Sequence, residues 1–132
     1  MNPDDYLYEY AIVHYVPRVE RREFINVGLV MMCKRRRWLR SAIHIDPQRV
    51  MAFDPATDLG MLRDTLSLVT SQGVPAPDLP VEERYRWLTA KKSAIMQVSP
   101  SHPGIIRNPD PERSPQENLQ AEFERLMRDL VM

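Results

Sequence analysis

Between Tyr8 and Asp46 the chain carries three apolar segments, separated by two short charged connections, Pro17 to Arg22 and Lys34 to Arg37. Strand-like segments joined by short polar connections predict an antiparallel meander. In the first segment Tyr8, Tyr10, Ile12, His14 and Val16 alternate with Glu9, Ala11, Val13 and Tyr15. Both sets are largely apolar, as in a strand covered on two sides. Pro17, which lacks an N–H, should end it. In the second segment, Glu23 to Cys33, strict alternation puts Ile25, Val27, Leu29, Met31 and Cys33 on one apolar face. Phe24, Asn26, Gly28, Val30 and Met32 fall on the other. The third segment, Trp38 to Asp46, sets Leu39, Ile43 and Ile45 against Trp38, Arg40, Ala42 and His44. One clean and one mixed face predict a sheet with a helical layer on one side.

Helical patterns follow. Asp46-Pro47 and Asp54-Pro55 each place a capping carboxylate before a proline suited to the first helical position. The first predicts a turn or two over Gln48 to Phe53. The second predicts a longer helix with Leu59, Leu62, Leu66 and Val69 inward, closed by Gly73. Val74 to Pro80 reads as a loop, and Val81 to Ala90 as a helix buried at Val81, Tyr85 and Leu88. Ala94 to Ser99 alternates again and predicts a fourth strand. Pro100 to Pro111 reads as a loop with a short extended piece at Ile105-Ile106. Ser114-Pro115-Gln116-Glu117 is a capping box, launching a last helix with the stripe Leu119, Phe123, Leu126 and Leu130. The expected architecture is α+β: about four antiparallel strands packed against helices, in a single domain over residues 1–132.

Composition narrows the classes. A chain of 132 residues with 43% hydrophobic and 27% charged residues is long enough, and apolar enough, to bury a core without staples. Cys33 is alone and no Cys/His cluster has zinc spacing, so no disulfide, metal or cofactor is expected, and a cytoplasmic setting is. The acidic start, Met1 to Asp5, is unlike a signal peptide. The longest apolar run, Val27 to Cys33, is too short to cross a bilayer, so no membrane partner is expected. Eighteen basic and eighteen acidic residues leave no global field to attract nucleic acid. The distribution is uneven, with Lys34, Arg35, Arg36, Arg37 and Arg40 within seven positions.

Three constellations carry candidate chemistry. The first is Arg22, Glu23 and Asn26, with Arg18 and Gly28 beside them. An amide inside a strand runs against propensity, so something satisfies it. It is either a recognition or catalytic amide on an exposed sheet face, or it bonds a neighbouring loop while Gly28 permits close packing. The second is Lys34, Arg35, Arg36 and Arg37 with Trp38. Such a group could hold a phosphate backbone and stack a base. It could equally be a solvated turn whose repulsion protects a strand pair. The third is Lys92-Ser93 with Gln97, Ser99 and His102. A serine three residues from a histidine suggests nucleophile and base, yet no Gly-x-Ser-x-Gly elbow accompanies it, and a polar loop edge explains it equally. His14 and His44 read as sheet histidines. Asp46, Asp54 and Asp58 invite a metal, although cap roles account for the first two.

Several of these residues also carry a family resemblance. Tyr10 to Val13, Val16-Pro17-Arg18 and Arg21 to Gly28 resemble the opening of the bacterial family known as domain of unknown function 3037. Glu83 to Leu88, Ser93 to Gly104 and Leu126 to Val131 are similar to its later parts. The resemblance brings no activity. It implies Glu23, Asn26, Gly28, Gln97, Ser99 and His102 as shared motif residues. It also implies a partner role beside a kinase of the HipA toxin type, in a stress or defence module. Three readings result. One is a protein-interaction module using the mixed sheet face and the Arg18 to Glu23 connection. The second is a phosphodiester-directed enzyme with Glu23 and His102 as acid–base or metal-binding groups, which requires strand two and the loop after strand four to meet. The third is nucleic-acid binding through the basic turn.

Overall fold

The computed structural model describes residues 5–69, 78–90 and 93–132. Gly73, most of the Val74 to Pro80 loop and Lys92 lie outside them. The fold is α+β. Strands β1 (Tyr6–Tyr15), β2 (Ile25–Cys33) and β3 (Trp38–Ile43) form the expected meander. Against the free edge of β1 lie β4 (Met96–Val98) and β5 (His102–Ile106), both antiparallel to it. The described sheet therefore has five strands in the order β3-β2-β1-β4, with β5 continuing along β1.

The piece expected as a loop with a short extension is thus a strand. Pro103 and Gly104 disguise it, but neither obstructs an edge strand. Gly104 faces Tyr8 across the ladder, and the tyrosine ring lies over the space a side chain would fill. Between β4 and β5 the register slips by one residue, from Val13 opposite Val98 to Tyr10 opposite His102. Ser99 closes the gap: its N–H donates to the Ile12 carbonyl at 2.9 Å, and its Oγ accepts the Ile12 N–H at 2.9 Å.

A second irregularity corrects the expected faces of β2. Val13 pairs with Gly28, but His14 pairs with Asn26, so Val27 is an extra, bulged residue. One inserted residue inverts every side chain beyond it. Ile25 and Val27 share a face with Val30 and Met32, while Leu29, Met31 and Cys33 project to the opposite side.

Both faces are covered, rather than one. The first packs Val13, Tyr15, Ile25, Val27, Val30 and Met32 against α1 (Pro47–Phe53), α2 (Leu59–Leu66), a short 3-10 turn (Ser67–Val69) and α3 (Val81–Thr89). Asp46 caps α1 as expected, but α2 starts later than expected. Asp54 bonds the Ala56 N–H in an intervening turn, and Asp58 is the cap, accepting from the Met61 N–H at 3.1 Å. The second face packs Tyr6, Tyr8, Leu29, Met31, Cys33 and Trp38 against Leu119, Phe123, Leu126 and Met127 of α4 (Pro115–Leu130), which opens with the expected capping box. Polar ties fix α4 on this face: Tyr8 Oη donates to Glu122 at 2.5 Å, Arg40 Nε to Gln120 at 3.1 Å, and Arg49 to the Val131 carbonyl at 3.0 Å.

Candidate functional site

The ladder sets three polar side chains in one row across the sheet. His14 lies between Gln97 of β4 and Asn26 of β2, its direct partners on either side, so all three project to the α4 face. Phe24, two residues before Asn26, stacks on the His14 ring with centroids 3.9 Å apart and planes within 16°. Phe24 is 49% exposed, whereas His14 is half-buried beneath it. Burial disfavours the charged imidazolium and pulls the His14 pKa below its ordinary value. Further along the same face, Tyr10 meets its cross-strand partner His102 with ring centroids 5.5 Å apart. His102 is exposed. Four residues of β1 separate the two rows, about 13 Å at the usual rise per residue.

Two amides of the row are engaged by the protein itself. Asn26 donates Nδ2 to the carbonyl of Leu130 at 2.8 Å, closing the C-terminal end of α4. Gln97 donates Nε2 to the Ala94 carbonyl at 2.9 Å. Gly28 sits where β1 and β3 crowd β2: a Cβ there would lie 3.0 Å from the Ala42 carbonyl oxygen and 3.2 Å from Val13 Cβ. Ser99 has its hydroxyl committed at the slip between β4 and β5, donating to the Pro100 carbonyl at 2.9 Å while accepting from Ile12. Both of these bonds go to backbone groups rather than to His102.

The β1–β2 connection lies at the end of this strip. Val19–Arg21 form a 3-10 turn, and Arg22 ends it in the left-handed region with φ 56°. Arg18, Arg22 and Glu23 are exposed, and Glu23 pairs with Arg21. Arg18, Arg21 and Glu23 line a cleft of about 320 Å3 with Pro17 and the end of α1, Ala52 to Pro55. Glu23 precedes Ile25, which faces Tyr15, whereas His102 faces Tyr10. That spacing along β1 is about 17 Å, too far for the two to share one proton-transfer event. The acid–base pair of the enzyme reading is not assembled. Among the described residues no group of three His, Cys, Asp or Glu side chains could hold a metal ion.

The basic turn is at the other end of β2. Arg37 takes φ 51° and its N–H returns to the Lys34 carbonyl at 3.1 Å. Trp38, expected to stack a base, is 5% exposed, edge-on to Phe123 at 6.2 Å and covered by Arg40. It offers no open ring. Arg36 lies over the ring of Tyr6, 4.8 Å from its centroid.

Neither Phe24 nor His14 stands out in the sequence as a candidate site residue. The available sign was that β1 alternation puts His14 on the face of Tyr8 and Tyr10, a tyrosine-rich side ending in a histidine.

Fold and site together define an α+β protein whose sheet is covered on both faces and keeps one aromatic and polar strip beside its last helix. The chain belongs to the family described as protein of unknown function (DUF3037), which matches residues 10–131. No curated protein and no solved structure matches it. No helix among the described residues is long and apolar enough to cross a membrane.

Proposed function

We propose that the chain is a protein-binding module, and that its contact surface is the strip formed by Phe24, His14, Gln97, Tyr10 and His102, with Arg22 at its edge. The observation that carries this reading is Phe24: a large aromatic ring, half-exposed and stacked flat on a half-buried histidine. Aromatic anchors with arginine nearby and a polar rim are what protein interfaces are enriched in. In this reading Phe24, Arg22, Gln97 and His102 touch the partner. Asn26, Gly28 and Ser99 hold the strip in shape, and Arg18 and Glu23 line the adjoining cleft. The partner implied by the family resemblance is a kinase of the HipA toxin type in a bacterial, cytoplasmic stress or defence module.

Phe24→Ser and Arg22→Ala change exposed side chains and should leave the fold intact. Affinity capture from the native host, quantified against the unmodified chain, should show a specific partner lost from the double variant. Capture of every partner in undiminished amount by that folded variant contradicts the proposal. A purified kinase of the HipA toxin type, run in the same assay, tests the finer assignment separately.

A further inference from the structure

At the opposite end of the sheet a second cleft, of about 460 Å3, opens between the start of β1 and the β2–β3 turn. Its size is that of a small-molecule site. Tyr6, Leu7 and Cys33 supply its apolar wall, and Lys34, Arg35 and Arg36 its charge. Asp5 also lines it, with one carboxylate oxygen held by the Asn108 N–H at 3.2 Å, so cations outnumber the anion. Leu7 is 55% exposed, an apolar side chain standing in solvent at this cleft.

Two features show a prepared donor rather than a loose basic turn. The Arg36 guanidinium is braced on the Tyr6 ring, and the left-handed Arg37 fixes the turn that presents it. The Arg36 Nε is buried and finds no hydrogen-bond partner among the described residues. A buried N–H without an acceptor is unfavourable, and such groups are rare in folded proteins. A guanidinium edge matches the two oxygens of a carboxylate, and Arg36, partly exposed, lines the cleft.

We propose that this cleft binds a small organic carboxylate with an apolar body, its carboxylate on Arg36 and Lys34 and its body against Tyr6, Leu7 and Cys33. The apolar wall distinguishes this ligand from inorganic phosphate, which the cations alone would serve. The site is remote from the Phe24 strip and independent of it.

The test uses the full chain, labelled with 15N, titrated separately with octanoate, its neutral analogue octanamide, and inorganic phosphate. Octanoate should saturate, with amide shifts concentrated at Tyr6, Leu7 and Lys34 to Arg36. Octanamide and phosphate should each bind at least about tenfold more weakly. Arg36→Met should weaken octanoate by about tenfold or more, with Arg36→Lys between the two and Arg107→Met unchanged. Should Arg36→Met fail to fold, Lys34→Met at an exposed position carries the same comparison. Equal binding of octanoate and octanamide, shifts mapping elsewhere, or an octanoate affinity indifferent to Arg36 and Lys34 would overturn the assignment.

Discussion

Gly104→Ala is a change of one methyl group with a large expected cost. Gly104 lies directly across the ladder from Tyr8, and a Cβ would overlap Tyr8 Cζ and sit 2.6 Å from its hydroxyl oxygen. The ring is 5% exposed and its hydroxyl is tied to Glu122, which is itself held by Arg125 at 2.7 Å. The ring therefore cannot yield a full ångström while keeping that bond. Losing a hydrogen bond to a charged acceptor costs about 1.5–3 kcal/mol. Lost aromatic packing adds about 1 kcal/mol, so the variant should lose about 3 kcal/mol of the roughly 5–15 kcal/mol typical of a domain. In urea, with a slope of about 2 kcal/mol per molar, the midpoint should fall by about 1.5 M. Far-UV circular dichroism reads it directly. Tyr8→Ala should remove the clash, so that adding Gly104→Ala to it costs little more. A single Gly104→Ala variant within about 0.5 kcal/mol of the parent would refute the packing argument, as would strict additivity of the two changes.

Three further outcomes follow from the same geometry. Asn26→Asp replaces the donor to Leu130 with a carboxylate at the negative end of α4, and should cost about 2 kcal/mol near neutral pH against about 1 kcal/mol for Asn26→Ala; the Asp penalty should shrink in acid, as paired urea titrations will show. Ser99→Ala strips the Ile12 N–H of its acceptor and should cost about 1–2 kcal/mol, with faster hydrogen exchange at the Ile12 amide as the local readout. His14 is held below its ordinary pKa by burial, so its contribution to stability is complete above the unfolded value of about 6.5 and is lost as pH falls through the lower folded value. Urea midpoints at a series of pH values should show that loss in the parent and a flatter profile in His14→Phe; an imidazole titrating above 6.5 in the folded chain contradicts it.

The strands and most helix starts were legible because their causes are local. Alternation along Tyr8 to Val16 assigns both faces of β1, and Asp46-Pro47 and Ser114-Pro115 carry their caps in adjacent residues. The misread faces of β2 have a physical cause. A bulge at Val27 depends on how β1 pairs with it, and nothing in Asn26-Val27-Gly28 breaks the alternation by itself. Strand β5 was hidden for a related reason, because Gly104 looks like loop punctuation until Tyr8 is placed over it. Asn26 stood out by propensity, but its acceptor is the Leu130 carbonyl, 104 positions later. Polar residues in the site were therefore easier to flag than to assign. A strand amide can serve a partner or a helix end, and only tertiary placement separates the two.

The proposed working surface is the His14–Phe24 strip. Amide and side-chain NMR shifts of the labelled chain, recorded with a partner captured by the unmodified protein, test it most directly. The perturbed residues should trace Phe24, His14, Gln97, Tyr10 and His102, with Phe24→Ser abolishing the effect. A footprint centred on the α1–α3 face, with the strip unperturbed and Phe24→Ser binding as the parent does, would contradict it.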